Sequence, residues 1–442
     1  MRKLAESDIP RAGVDGCIAV RMHSRRCFLS SLGAAALAPF LPGCRIADDR
    51  EYLAGVRSRY ERELLESVVP FWEAHSIDRE FGGFLTCLRR DGSIYDTFKH
   101  LWMQWREVYM FARLWNAGYR ERRYIDNALH GFDFLLRHGR MADGSYHYLL
   151  DRTGKVLSDS DGGMEVFTES FAAIGCAELY KATGEERFRR EALGAYSVYR
   201  RKTAHGSGSY DLLAYPMIEL NVLSVMREAF GGGYDAEIGN AIRRIRRFAE
   251  PKTGVMLERA PKSGGFELET QFGRFVNPGH ALEGCSFIMR HLRERPDSET
   301  LAFVLAEART MFEFGWDKVD GGIWYFRDAL DMPMARHEYF LKAWWPQNEA
   351  ASAMLQAYEL SGDGWYLDAF RRTDEFAWRN LRDAEYGEWF AYAPVGGRKF
   401  HDYKGSRFKG FFHLPRQLLD CIQAIDRIQR SGKAKQMKGT NA

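Results

Sequence analysis

The fold is decided by a short glycine-rich sequence, Gly82-Gly83-Phe84, that returns in altered form through the rest of the chain. Successive copies begin 62, 64, 46, 67 and 66 residues after one another. The five later copies are Gly144-Ser145-Tyr146, Gly208-Ser209-Tyr210, Gly254-Val255-Met256, Gly321-Gly322-Ile323-Trp324 and Gly387-Glu388-Trp389. A nearly constant period indicates a repeated unit that buries its apolar face against neighbouring copies. The third copy fits this period least well.

Between the copies, apolar residues recur at helical spacing, as in Leu101, Trp105, Val108 and Ala112. The pattern predicts twelve helices, near 51–74, 100–117, 122–138, 168–182, 186–203, 216–230, 235–249, 279–293, 298–315, 343–360, 364–380 and 415–429. Six helical hairpins in a closed ring predict one all-α domain over residues 44–442, an (α/α)6 barrel with short β-hairpins at the odd-to-even turns. An open helical solenoid is the alternative. In the barrel the even helices are parallel and begin at one end, which is where a site is expected.

The composition is that of an ordinary globular protein, with 45% hydrophobic and 28% charged residues in 442. Beyond residue 44 the chain carries as many acidic as basic residues, which argues against nucleic acid as a partner. The seven cysteines form no Cys-x-x-Cys pair, so neither a disulfide framework nor a zinc site is indicated. The four cysteines after Cys44 are expected to be buried thiols.

Residues 1–43 are typical of an export leader. Arg25 and Arg26 precede an apolar run that is too short to span a bilayer, and the surrounding Ser-Arg-Arg-x-Phe-Leu pattern resembles a twin-arginine signal. Residues 41–44 resemble a lipoprotein box ending at Cys44, which predicts a lipid anchor there, although Pro42 fits that box poorly. Met22 is an alternative start, and a buried apolar helix is an alternative interpretation of the leader.

His280 and Glu283 share one face at the start of a predicted helix, which Asn277 caps and Pro278 opens. The helix dipole opposes an imidazolium at this end, so we expect a neutral, proton-accepting His280. Glu283 could orient His280 or assist ring opening of a sugar. A structural histidine is the alternative.

Three further segments lie at helix starts. Residues 342–349 place two tryptophans beside a lysine, an amide and a carboxylate. Such a set offers the flat apolar wall and the hydrogen bonds that sugar binding requires. The alternative is that the two tryptophans are a core aromatic pair. His413 begins the last helix and is expected at the same barrel end as His280. Trp102 and Arg106 share a helix face, where the arginine needs an acceptor; a structural salt bridge is the alternative.

These segments resemble the N-acylglucosamine 2-epimerase and cellobiose 2-epimerase family over nearly the whole chain after residue 51. The matching residues are 78–84 (DREFGGF), 95–96, 102–106 (WMQWR), 277–283 (NPGHALE), 342–350 (KAWWPQNEA), 383–390 (DAEYGEWF) and 404–416 (KGSRFKGFFHLPR). The resemblance implies an (α/α)6 barrel with two catalytic histidines, His280 and His413, and with Arg106 near the C1 and C2 oxygens of the substrate. The candidate substrate-binding residues are Trp102, Lys342, Trp344, Trp345, Gln347, Glu349 and Lys409.

The reaction that the resemblance implies, inversion of a sugar at C2, suits these residues. Inverting C2 of an aldose or N-acyl amino sugar requires the open-chain carbonyl, loss of the C2 proton from one face and its return to the other. Two histidines can supply both proton transfers near neutral pH, and Arg106 can stabilise the enediolate oxygen. Glu283 is the fourth candidate catalytic residue, and no metal or other cofactor is needed.

The substrate class is less closely defined. Cellobiose epimerases carry an extra histidine in the segment matching residues 215–221, which has none here, so this segment is closer to the N-acylglucosamine branch. Animal members of that branch carry histidine where Gln347 stands, and the wall near Gly284-Cys285-Ser286 also departs from the family. An aldose-ketose isomerase and a non-catalytic carbohydrate-binding lipoprotein remain alternatives. The leader favours a glycan-derived sugar in the periplasm, and the oligomeric state, a homodimer included, stays open.

Replacing Arg25 and Arg26 together with lysine is expected to leave active protein in the cytoplasm, because the export receptor reads the arginine pair and not its charge. Fractionation of a bacterial host followed by an activity assay measures this, and Arg11→Lys is the matched control. Export of the double variant at the parent level, or a mature N-terminus upstream of Met22, would contradict the predicted leader.

Overall fold

The computed structural model describes residues 42–160, 163–204 and 208–439, and residues 49–442 form one compact unit. Arg25, Arg26 and the side chain of Cys44 lie outside the described part, so the predicted leader and lipid anchor stay predictions. None of the helices described is long and apolar enough to cross a bilayer. Cys87, Cys176, Cys285 and Cys421 are buried free thiols, as expected.

The helices form two concentric rings. The inner ring consists of α3 (Leu101–Asn116), α5 (Thr168–Thr183), α7 (Ala214–Phe230), α9 (Pro278–Glu294), α11 (Trp344–Ser361) and α13 (His413–Gly439). The outer ring consists of α1 (Pro42–Arg62), which continues through a π-helical stretch (Glu63–Val68) into α2 (Val69–His75), then α4 (Arg122–Phe134), α6 (Glu186–Ala204), α8 (Asp235–Arg246), α10 (Ser298–Gly315) and α12 (Gly364–Asn380). With α1 and α2 counted as one, the twelve predicted helices are confirmed.

The difference between the rings follows from the sequence. Helix α5 is buried on every side, because its neighbours cover it all round, and it is accordingly apolar or small at most positions. Helix α8 instead buries one stripe, Ile238, Ala241, Ile242 and Ile245, and leaves its arginines exposed or half-buried. Such a stripe is sufficient for an element that packs on one side only.

The inner ring is closed. Helix α3 packs against α5, and contacts continue through α7, α9 and α11 to α13. Back at α3, Arg113 pairs with Asp420 of α13, and the rings of Phe111 and Phe411 lie 4.8 Å apart between centroids. These contacts across the ends of the chain confirm the (α/α)6 barrel and exclude the open solenoid.

Short strands connect the outer helices to the inner ones: β1 (Cys87–Leu88), β2 (Ile94–Asp96), β3 (Lys99–His100), β4 (Leu149–Leu150), β5 (Val156–Ser158), β6 (Tyr210–Leu212), β7 (Arg259–Pro261), β8 (Phe275–Val276), β9 (Arg327–Asp328), β10 (Lys342–Ala343) and β11 (Tyr392–Ala393). Only the pairs β1-β2 and β4-β5 are hairpins within one connection. The pairs β3-β4, β6-β7, β8-β9 and β10-β11 join neighbouring connections, so the prediction of hairpins alone was incomplete. Each of these four pairs ties one connection to the next.

Five of the six glycine-rich copies have the same structure. Each follows an outer helix and forms one antiparallel bridge back to it, at Ile77–Phe84, Arg140–Tyr146, Ala249–Met256, Trp316–Ile323 and Arg382–Trp389. The third copy differs, since Tyr210 enters β6 and pairs with β7. The poor fit of that copy to the period therefore reflects a different local structure.

Buried polar clamps hold the glycine-rich copies against the inner helices. Gln104 of α3 accepts a bond from the backbone N–H of Phe84 (2.7 Å) and donates to its carbonyl (2.8 Å). Gln347 of α11 makes the same two bonds to Ile323, at 2.7 and 2.8 Å. Gln347 is therefore a structural residue, and the expectation that it binds substrate is wrong.

Lysine–aspartate pairs accompany these clamps. Lys99 Nζ lies 2.9 Å from Asp78, and Lys342 Nζ lies 2.5 Å from Asp317, with both lysines fully buried. Lys404 forms the equivalent pair with Asp383. Each aspartate lies four residues before the first glycine of its copy, so the pair fixes the turn. Lys342 thus serves the fold, and its predicted substrate-binding role is wrong.

Lys409 is also structural. The sixth copy has Glu388 where the first and fifth have a second glycine, and its φ of 55° is unusual for a side-chain-bearing residue. Its carboxylate accepts bonds from Lys409 Nζ (2.6 Å) and Trp72 Nε1 (2.7 Å), which hold it in place. Lys409 also donates to the carbonyl of Lys404 (2.7 Å), so the predicted substrate contact of Lys409 is wrong.

Replacing Lys342 with methionine is expected to lower the free energy of unfolding by about 3–5 kcal/mol, because Asp317 would remain buried without its partner. Urea unfolding measures this. Lys318→Met, at an exposed position next to Asp317, is the control and should change stability by less than about 0.5 kcal/mol. Parent stability in Lys342→Met together with a raised KM would return this lysine to the substrate site.

Candidate active site

A cavity of about 360 Å³ opens at the end of the barrel where the inner helices begin. Every inner helix contributes to it from its first turns, which confirms the expected convergence. The side chains from these helix starts are Trp102, Arg106, Phe171, Met217, His280, Glu283, Trp344, Trp345 and His413. The volume is typical of small-molecule sites.

A second cleft of about 700 Å³ lies away from these residues, beside α1 and the turn after α12. Two of the three arginines that line it, Arg59 and Arg382, are paired with Asp374 and Glu63. None of the candidate site residues lines it. The smaller cavity is therefore the better candidate for chemistry.

His280 lies in the first turn of α9, where Asn277 Oδ1 accepts a bond from its backbone N–H (3.3 Å). Its Nδ1 lies 3.0 and 3.1 Å from the carboxylate oxygens of Glu258. Burial opposes protonation, but Glu258, with smaller contributions from Glu283 and Glu349, raises the pKa of His280 above its ordinary value. The expected downward shift of the His280 pKa is therefore wrong, because a contacting carboxylate outweighs the helix dipole.

His413 is the first residue of α13, and its Nδ1 lies 2.7 Å from Glu349 Oε1. Burial, and next the charge of Arg106, lower the pKa of His413 well below its ordinary value, so this ring is neutral at pH 7. The ring of Trp345 lies between the histidines, with centroid distances of 5.2 Å to His280 and 5.5 Å to His413. One cavity thus holds two histidines with opposite protonation tendencies.

Arg416 joins the helices behind the histidines. Its Nη2 donates to Glu283 of α9 (2.6 Å) and to Glu349 of α11 (2.5 Å), all three side chains being buried. Glu283 therefore pairs with Arg416, and its expected role in orienting His280 belongs instead to Glu258. Glu349 contacts His413 and does not itself line the cavity, so its substrate contact stays a prediction.

The same group offers a metal-like donor set. Oxygens of Glu283 and Glu349 and a nitrogen of His413 lie within 4.8 Å of one another. Arg416 already donates to both carboxylates and supplies the positive charge that they require. The donor set therefore fits a guanidinium and not an additional cation.

Arg106 lies buried on the wall formed by α3. Its guanidinium stacks on the rings of Trp102, Phe171 and Phe412, with distances of 4.4, 4.2 and 4.4 Å from Cζ to the ring centroids. It makes no ion pair with any described residue, and its Nε has no hydrogen-bond partner there. Burial lowers the pKa of Arg106 to about 9. The alternative of a structural salt bridge is thus unsupported, and the site keeps a positioned cation for an incoming oxygen.

The tryptophans supply the flat walls. Trp344 and Trp345 both line the cavity, as does Trp102. Gly279 lets Trp345 lie against the start of α9, since a Cβ on Gly279 would come within 2.5 Å of that indole. These three predicted substrate-binding residues are therefore placed where a sugar ring could stack.

Two important residues were not singled out for their roles by the sequence. Glu258 lies in a connection, outside any helix start, and its signal is a lone carboxylate after the apolar run 255–257. Arg416 lies within a quoted motif, yet nothing in its spacing shows that it bridges two other helices. Both are buried charged groups, which burial makes costly unless they are paired.

Comparison with known proteins places the sequence in a family. The sequence profile of the N-acylglucosamine 2-epimerase (GlcNAc 2-epimerase) family matches residues 83–414. The human N-acylglucosamine 2-epimerase is 37% identical over 397 residues, covering 85% of this chain and 92% of the human protein.

Solved structures show the same fold. The cellobiose 2-epimerase of Bacillus thermoamylovorans superposes with a TM-score of 0.72 at 18% identity, covering 83% of this chain and 98% of that one. A D-mannose isomerase superposes equally well, also at 0.72 and 18%, covering 85% and 98%. On the family profile and the human relative together, the chain belongs to the N-acylglucosamine 2-epimerase family.

Proposed function

We propose that this carbohydrate epimerase inverts C2 of an aldose or N-acyl amino sugar with His280 and His413 as the two acid–base groups. The observation that carries the proposal is the pair of histidines in one cavity, each held through Nδ1 by a glutamate, Glu258 or Glu349. That arrangement leaves Nε2 of each ring for the substrate. Groups whose environments push their pKa values apart can act as acid and base in one step.

The proton transfers follow from the protonation states. Neutral His413 accepts the C2 proton of the open-chain sugar, and the electron pair moves to the C1 oxygen to give an enediolate. Protonated His280 then donates to C2 from the opposite face, which inverts that centre. The reverse reaction uses the same groups in exchanged roles.

Arg106 stabilises the intermediate. Negative charge develops on the carbonyl oxygen during deprotonation, and a guanidinium without a protein carboxylate is free to bind that oxygen. The aromatic rings of Trp102, Phe171 and Phe412 fix its plane beforehand, so little reorganisation is needed. Assistance by Glu283 in ring opening stays a prediction.

An aldose-ketose isomerase is the second candidate, favoured by the shared fold of the D-mannose isomerase. That reaction moves a proton between C2 and C1 on one face and would need only one of the histidines. The paired arrangement of His280 and His413 supports epimerisation instead, and equally opposes a purely sugar-binding role. We further propose that the enzyme acts in the periplasm, on the strength of its leader; anchoring at Cys44 and the oligomeric state stay predictions.

In D2O, the enzyme is expected to place deuterium at C2 of the product when given N-acetylglucosamine, N-acetylmannosamine, glucose, mannose or cellobiose, whichever of these it accepts. His280→Asn and His413→Asn should each lower epimerisation by about 10²–10⁴-fold. Each variant keeps one base, so each should still exchange the C2 proton of one epimer only. Nuclear magnetic resonance of the sugars measures both effects.

The control for these variants is His138→Asn, because His138 does not line the cavity. Deuterium at C1 of a ketose would favour the isomerase. Parent-rate epimerisation by either histidine variant would remove that residue from the mechanism.

Glu258→Gln is expected to shift the alkaline limb of the kcat/KM profile to lower pH. The active pair carries one proton, which His280 holds more tightly because Glu258 raises its pKa. Without that carboxylate, burial dominates and the proton is lost at lower pH, while the acid limb set by His413 changes little. Kinetics across the pH range measure this, with Glu269→Gln, an exposed site in the same connection, as control. An unmoved alkaline limb would contradict the role of Glu258.

A further inference from the structure

Two arginines that the reaction does not use line the same cavity. Arg259 directly follows Glu258 in the chain, and Arg336 lies in the connection before α11. Arg259 donates one bond, to the carbonyl of Phe272 (3.4 Å), and neither arginine forms an ion pair with a described residue. Most buried or half-buried arginines of this barrel have a carboxylate, as Arg416 and Arg113 do. Arg259 is half-buried and Arg336 is exposed, and neither has a carboxylate partner among the described residues.

Aromatic rings hold both guanidinium groups by their faces. The Cζ of Arg259 lies 4.0 Å from the ring centroid of Phe272 and 5.0 Å from that of Phe275. The Cζ of Arg336 lies 5.0 Å from Phe275 and 5.2 Å from Phe326. Stacking occupies the faces and leaves the in-plane N–H groups available, apart from the one that Arg259 donates to Phe272. These are the groups that bind oxyanions in pairs. Phe275 is shared, so the two cations lie on one aromatic surface.

The nearby carboxylates do not pair with these arginines, because one is bonded elsewhere and the other makes no ion pair with them. Glu258 influences Arg259 but is bonded to His280. Glu338, close to Arg336 in the chain, forms no ion pair with it. Burial and the charge of Arg336 together lower the pKa of Arg259, which means that the two cations repel each other. An anion between them would relieve that repulsion.

The position of this pair relative to the histidines is set by a series of ring contacts. Trp345, which touches both histidines, lies 5.7 Å from Tyr325 between centroids. Tyr325 stacks on Phe326 at 4.0 Å, and Phe326 lies 4.9 Å from Phe275. The arginines therefore lie beyond this aromatic wall, whereas Arg106 lies on the rings of α3, α5 and α13. A sugar with C1 and C2 at Arg106 and the histidines would extend its other end toward Arg259 and Arg336.

We propose that the natural substrate is an anionic sugar, carrying a phosphate or carboxylate at the end remote from C1 and C2, and that Arg259 and Arg336 bind this group. The inference rests on the proposed function, since it takes the position of C1 and C2 from the acid–base pair. For a hexose the remote position is C6. The charged group would be held by bidentate bonds, which also fix the length of sugar that the site accepts.

The test compares matched sugars. Mannose and N-acetylmannosamine are assayed against their 6-phosphates, and mannuronate supplies the carboxylate arm. One of the two anionic forms, the phosphate or the carboxylate, is expected to have a higher kcat/KM than the neutral sugar. The form with the higher value identifies the anion that the site binds. Arg259→Gln and Arg336→Gln should each lower kcat/KM for the preferred anionic sugar about 10- to 100-fold more than for its neutral counterpart, mostly through KM, as lost bonds to a charged group predict. Arg122→Gln, in an exposed ion pair on α4, is the control.

Calorimetric binding separates this proposal from the proposed function. Tighter binding of an anionic sugar, weakened in Arg259→Gln and Arg336→Gln, would support the inference even if no sugar were epimerised. The inference would be overturned if neutral sugars were epimerised as well as anionic ones, and if neither variant changed the ratio of kcat/KM between the two. The proposed epimerase function would then still stand. Equal or weaker binding of all anionic sugars would overturn it as well.

Discussion

A buried lysine–aspartate pair lies beneath the entrance to at least two inner helices, and the geometry of the site depends on it. Lys99 and Lys342 each lie two residues before their helix and hold an aspartate four residues ahead of a glycine pair. Desolvation makes such pairs a poor source of net stability, but their directional bonds define one position for the turn. Because the helix starts immediately afterwards, its first side chains are placed by the same bonds.

The consequence for function is electrostatic. Six helix N-termini point toward one cavity and give it a positive potential, which favours an enediolate oxygen. Buried glutamates moderate this potential beside both histidines, Glu258 at His280 and Glu349 at His413. Elsewhere the cavity keeps unpaired cations, Arg106 above all. A site made in this way binds developing negative charge without excluding protonated histidine.

The fold and part of the site could be predicted because they depend on local pattern. Helical periodicity and the recurring glycine turns are read residue by residue, and a histidine at a helix start is visible in the sequence. The roles of Lys342, Gln347 and Lys409 could not be predicted in this way. Each role depends on a bonded partner that lies 21 to 25 residues earlier in the chain. A polar residue beside tryptophans is equally compatible with a ligand and with a buried clamp. Only the bonds to Asp317, Ile323 and Glu388 distinguish them.

The contrast between the two histidines shows why position at a helix start does not by itself predict the direction of a pKa shift. His280 and His413 both begin inner helices, and each has a glutamate at Nδ1, so the dipole and the partner type are shared. The difference lies one contact further away. Glu349 also accepts a bond from Arg416, which offsets much of the negative charge that would otherwise raise the pKa of His413. Arg106 adds a second cation near that ring. Glu258 forms no ion pair with a lysine or arginine in the described residues, so no bonded cation offsets its charge beside His280. The same side chain thereby has its pKa shifted in opposite directions at two helix starts, because the arginines around the two glutamates are placed differently.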